Sequence, residues 1–215
     1  MMQNALLKTA SGPFDWIFSS LRMVNHCIAT DFEMFLDRTQ YVPIPNERRS
    51  NLTSAFCDHR FYHERCGIAT MFNHSDPTLP DVYDYMTRCV DRFRRALRSD
   101  QPNLLLGIAE PHRITRGSFR RLAQKLDRFD NAEAMVMIIG RNVGARRVRL
   151  VETIGRHRLF VLNVMSPLHG IQFADHEDNR FVIDQLSTML AIAAPDQPGR
   201  EAEPAHSAAS SVSAA

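Results

Sequence analysis

Lysine is nearly missing from this chain: of 26 basic side chains only Lys8 and Lys125 are lysines, and the rest are arginine. Acidic residues number 24, which leaves a formal charge of +2 and no basic field strong enough to favour nucleic acid or a membrane surface, although the sequence pI is about 8.5. Long apolar runs are missing too. No segment reaches the roughly 18 unbroken apolar residues of a membrane span. Residues 1–12 have neither a charged start nor an apolar stretch of about 7 to 15 residues, so no secretory signal is expected. Cysteine occurs four times, at Cys27, Cys57, Cys66 and Cys89, and never as C-x-x-C. Free thiols in a reducing, cytoplasmic compartment are expected, rather than a disulfide framework. Also absent are G-x-S-x-G, G-x-x-x-x-G-K-[ST] and G-x-G-x-x-G. Serine-hydrolase, nucleotide-driven and dinucleotide readings lose their support, and no cofactor is implied.

What is present fits one globular domain: 215 residues, 44% hydrophobic and 23% charged. The expected division is a poorly ordered stretch over 1–12, an α/β domain over 13–194 and a disordered Ala/Ser/Pro-rich tail over 195–215. Leu21, Val24, Ile28, Phe32 and Phe35 recur at helical spacing, with a break expected at Ala29 and Thr30 and a second helix to Leu36. Residues 41–55 read as a loop, and Phe61 to Phe72 as a strand running into a turn. Asp81 opens a helix with Val82, Met86, Cys89, Val90, Phe93 and Leu97 inward. Leu104 to Ala109 and Met135 to Ile139 read as buried strands around a helix carrying Phe119, Leu122 and Leu126, the unit of a parallel sheet with a right-handed crossover. Strands over 147–153 and 159–165 and a helix from Asp178 complete a mostly parallel sheet flanked by helices, with room for a missing first strand.

Chemistry-bearing residues crowd before residue 90. Cys57, Asp58, His59, His63, Cys66, His74 and Asp76 form the densest group. On a helix His59 and His63 would share a face and could ligate zinc with the two thiolates. Gly67 and the aromatics argue for extended structure instead, so scattered core and polar roles are the plainer expectation and no metal is assigned. Asp15, between Phe14 and Trp16, would either hold a carboxylate in partly apolar surroundings or bond backbone amides of the turn before the first helix. The second role is the simpler one.

The runs GPFDWIFSS, LRMVNHCIATDFEMFLD, MFNHSDP, YDYMTRCVDRFRRAL and HGIQFADHEDN resemble a bacterial family of domains named as papain-like cysteine peptidases. The resemblance covers most of residues 12–190, and PFDW with FNH-x-DP gives it specificity. It implies a thiolate nucleophile, an imidazole that shuttles the proton and a carboxylate that orients the imidazole. By position it makes His74 the base and Asp76 or Asp15 the orienting acid, although Asp76 before Pro77 also suits a turn. The family's S-L-G-x-x-C segment, whose cysteine the resemblance makes the nucleophile, belongs upstream of PFDW. Only twelve residues precede Pro13 and none is cysteine. The expectation is a longer parent chain or a truncated, inactive relative. Cys27 beside His26 is a poor substitute, since adjacent helical residues point about 100° apart.

Three functions compete: a thiol-dependent hydrolase or acyl transferase, a non-catalytic binding domain and a zinc-stabilised module. No nucleic-acid partner is expected. Arg88, Arg92 and Arg95 read as solvated helix surface. Glu110 and His112 follow the first parallel strand at the end where α/β sheets present ligands, an expectation from architecture alone.

Overall fold

The computed structural model describes residues 11–49, 55–109, 115–141, 144–169 and 172–193. Helix α1 (Leu21–Ala29) leads through turns to strand β1 (Tyr41–Pro43), which pairs antiparallel with β2 (Cys57–His59). Helices α2 (Arg60–Cys66) and α3 (Pro80–Arg98) follow, then β3 (Asn103–Ala109), α4 (Arg116–Leu126), β4 (Ala132–Arg141), β5 (Arg147–Ile154) and β6 (His157–Val164). A short pair, β7 (Leu168–His169) and β8 (Gln172–Phe173), precedes α5 (His176–Ala193). The main sheet runs in the order β3-β4-β6-β5, with β3, β4 and β6 parallel and β5 antiparallel to β6. The expected α/β class, a mostly parallel sheet with helices packed on it, is the class that forms.

Strand β4 shows why its sequence is apolar throughout. Ala134 and Val136 face α4, packing with Phe119, Leu122 and Leu126, while Met135 and Met137 face α5 and pack with Val182 and Met189. Side chains alternate across a strand, so one covered on both faces must be apolar at every position. A third core lies before the sheet, where Phe32, Phe35, Tyr62 and Phe72 pack with Met86 and Val90 of α3. Helix α1 joins two cores, sending Met23 and Cys27 into the aromatic one and Leu21 and Ile28 toward α4. Among the described residues no helix is long and apolar enough to cross a membrane.

Three local expectations are corrected, the first being the loop read over 41–55, whose first residues, Tyr41–Pro43, form β1. Residues 60–66 are helical, not extended: Tyr62 is buried on the inner face, and Gly67 closes the helix at a φ of +66°, the left-handed position where glycine carries no Cβ penalty. After α1 the break at Thr30 occurs as expected, but turns replace the second helix. Asp31 and Phe32 take positive φ, and the Phe32 amide donates to the Cys27 carbonyl at 2.8 Å. Helix α3 begins at Pro80, one residue before Asp81, which suits a residue with fixed φ and no amide proton to leave unpaired. The segment 1–10, the tail from 194 on, Glu110 and His112 lie outside the described residues.

Candidate functional site

His74 is exposed, and its ring has one polar contact among the described residues, Nε2 with the Asn73 side-chain amide at 3.2 Å. Asp76 is buried, and its carboxylate accepts from the Thr78 amide at 3.0 Å and the Thr78 hydroxyl at 2.7 Å, an Asx turn that leads into α3. Asp15 accepts from the Gly12 amide at 2.6 Å, closing the turn before α1. The structure therefore brings neither acid to the His74 ring. His74→Ala is expected to change stability by no more than about 0.5 kcal/mol, as at other exposed positions. Asp76→Ala should cost roughly 1 to 2 kcal/mol through the two bonds it loses. Urea unfolding of both variants checks this, and an equal loss in His74→Ala would contradict a solvated ring.

The thiols have their own partners. Cys27 is fully buried, and burial pushes its pKa up to about 12 even though the Tyr62 hydroxyl lies 3.2 Å from Sγ. Burial, then the charge of Asp76, also pushes Cys57 up to about 12, and its thiol donates to the Asp58 carbonyl at 3.2 Å. Cys89 Sγ accepts from the Arg92 guanidinium at 3.0 Å. Cys66 alone is not buried. Burial still raises its pKa, against the opposing pull of Arg22, the Ser20 hydroxyl and Arg65.

The imidazoles are equally dispersed. His63 Nδ1 meets Asp58 Oδ2 at 2.5 Å, an oriented histidine and acid pair, but Cys66 one turn along α2 bonds Ser20 rather than this ring. His59 is buried, with Nε2 donating to the Met34 carbonyl at 3.1 Å and Nδ1 without a hydrogen-bond partner. Burial lowers its pKa against the pull of that carbonyl. His26 reaches a thiol only through Tyr62, whose hydroxyl lies 3.1 Å from His26 Nδ1. His59 sits at the N-cap of α2 and His63 in its last turn, and the two face different partners. Among the described residues no three His, Cys, Asp or Glu side chains are grouped to hold a metal ion.

A different set of residues forms a concavity. A cleft of about 740 Å³ between α1, α2 and α4 is lined by Ser20, Arg22, Arg65, Cys66, Gly67, Thr115, Ser118 and Arg121. Ser20 caps α1, accepting from the Met23 amide at 3.3 Å, and Thr115 caps α4 in a reciprocal capping box with Ser118. Asn25 donates to the carbonyls of Leu21 and Ser118, both at 2.8 Å, and so ties α1 to the start of α4. The left-handed turn at Gly67 ends α2 with Arg65 and Cys66 facing the cleft. None of Arg22, Arg65 and Arg121 takes part in an ion pair among the described residues, and no carboxylate is among the lining side chains named.

No family model, curated protein or solved structure matches the chain. None of these comparisons tests the resemblance to papain-like peptidases, and in this fold Phe14 of PFDW packs against Phe32, Phe35 and Phe93. Sequence reasoning missed the cleft arginines. They are 43 or more residues apart and come from three helices, so no local spacing marks them. The one pointer was architectural: Thr115 lies just beyond the C-terminal end of β3, where parallel sheets present ligands.

Proposed function

We propose that this chain works by binding, with its ligand in the cleft between α1, α2 and α4, and not as a thiol-dependent hydrolase. One observation carries the reading: among the described residues no imidazole nitrogen hydrogen-bonds a sulfur, and the three thiols with a resolved shift are all pushed toward the neutral form. A cysteine nucleophile needs the thiolate, supplied by an adjacent base or a lowered pKa, and neither aid is present there. All four thiols are free, which supports a reducing, cytoplasmic setting.

The second reading, a papain-like hydrolase or acyl transferase, is favoured by Cys66, which opens on the cleft beside two guanidinium groups that pull toward the thiolate. Alkylation separates the two. With iodoacetamide at pH 7, Cys66 is expected to label no faster than a free thiol, and Cys27, Cys57 and Cys89 far more slowly because they are buried. Mass spectrometry of the intact protein and its peptides reads the rates. A cysteine modified tenfold faster than free cysteine would restore the hydrolase reading.

A further inference from the structure

We propose that the cleft binds a small phosphate monoester, with the dianionic phosphate held by Arg22, Arg65 and Arg121. The inference rests on the cleft being the ligand site and adds the chemical class of the ligand.

Each of the three guanidinium groups comes from a different structural unit: Arg22 from the first turn of α1, Arg65 from the last turn of α2 and Arg121 from α4. Three positive charges therefore converge on one concavity in a chain whose net charge is only +2. Such concentration is costly without a counter-charge, because like charges in a cleft reinforce one another's field. No carboxylate is among the described lining side chains. Some other arginines are matched to acids, Arg94 with Asp31 and Asp91, Arg120 with Glu152, Arg146 with Asp175 and Asp178, and Arg158 with Glu133, while exposed ones such as Arg88, Arg95 and Arg98 of α3 are in no ion pair among the described residues. What sets the cleft trio apart is its convergence from three helices on one hollow, which suits a negatively charged ligand.

The form of the charge follows from the donors. A guanidinium offers a planar fork that fits two oxygens of a phosphate, and three forks suit a tetrahedral dianion better than a singly charged, planar carboxylate. The N-termini of α1 and α4 also end at the cleft and add positive potential of the same sign. Thr115 Oγ1 already accepts from the Ser118 amide, which leaves its hydroxyl proton for an anion oxygen. The Ser20 hydroxyl is engaged with Cys66. At about 740 Å³ the cleft is far larger than a phosphate ion and in the range of pockets that hold a small organic molecule, so an ester is proposed in preference to inorganic phosphate. A polynucleotide is disfavoured because the charge is gathered in one hollow and the chain as a whole is near neutral.

The test is isothermal titration of the full chain with phenyl phosphate and, separately, benzoate, at pH 7.5 and constant ionic strength. Phenyl phosphate should bind one to one and at least tenfold more tightly than benzoate. Each of Arg22→Ala, Arg65→Ala and Arg121→Ala should weaken it about tenfold, the usual loss of a charge-assisted hydrogen bond. Arg121→Lys keeps the charge without the fork and should fall between. Arg180→Ala, at an exposed position of α5, should leave the affinity unchanged. The three cleft arginines are exposed and in no ion pair among the described residues, so the unliganded variants should melt with the wild type, which separates lost binding from lost folding. Absent binding, affinity indifferent to all three alanine variants, or benzoate bound as tightly would each overturn the phosphate assignment. Any of these results with uniformly slow cysteine labelling leaves the binding role in place, whereas one fast cysteine together with absent binding removes that role in favour of the hydrolase.

Discussion

Asp178→Ala is expected to lower stability by about 4 kcal/mol at pH 7, the range found when a buried charge loses its partner. Asp178 is fully buried near the start of α5, and its carboxylate accepts from the Met165 amide at 3.1 Å, the Ser166 amide at 2.7 Å and the Ser166 hydroxyl at 2.6 Å. It also accepts from Arg146 Nε at 2.7 Å. These partners belong to the segment after β6 and to the residue before β5, so one carboxylate fastens two strand ends to the helix that covers the sheet. Removal strands two backbone amides and leaves Arg146, among the described residues, with Asp175 as its one acid partner. Thermal melting should show a loss of roughly 10 °C for a domain of this size. A variant within 2 °C of the wild type would show that α5 is held by its apolar face alone.

The same group gives the prediction a pH dependence. Burial raises the Asp178 pKa, but the Ser166 hydroxyl, the two amides and Arg146 together outweigh it and hold the folded value below 3.8. A carboxyl depressed by folding binds fewer protons in the native than in the unfolded chain, so its contribution is complete above the unfolded value and fades as pH falls through the folded one. The gap between wild type and Asp178→Ala should therefore be widest near neutrality and narrow below pH 3.8.

The sheet was legible because its signals are local. The run from Met135 to Ile139 is apolar at every position, as a strand covered on both faces requires, and the helical stripe of Phe119, Leu122 and Leu126 between two such runs fixes the crossover. Helix α2 was not legible. Phe61 and Tyr62 are residues that strands favour, and the pair at Tyr62 and Cys66, four apart, is the only helical spacing in seven residues. Gly67 was the available signal, since a glycine just beyond a short segment is a common helix terminator. The candidate site was less legible still. Motif reasoning gathers residues close in sequence and so pointed to His74, which is exposed, and Asp76, which the fold uses for a turn. The cleft needs α1 and α4 brought together, and the bond that does so joins Asn25 to Ser118 across 93 residues.

Phe35→Ala is expected to cost about 4 kcal/mol, the usual loss for removing a buried ring and leaving a cavity behind. Phe35 is fully buried, with ring centroids 5.8 Å from Phe32, 6.3 Å from Phe72 and 6.4 Å from Phe14. Its carbonyl accepts from the buried Tyr41 hydroxyl at 2.6 Å, which fixes the backbone from which the ring projects. The ring thus links Phe14 of PFDW to Phe72, the residue before the asparagine of FNH-x-DP. If these motifs persist because they build this aromatic core, Phe14→Ala, at a partly buried site, should lose roughly 2 kcal/mol. The losses at Phe14 and Phe35 should then be non-additive in the double variant, because rings in contact share one cavity. Urea midpoints of the two single variants and the double settle the coupling. Strict additivity would mean that the motifs do not meet in one packed unit, and their packing would then no longer account for them.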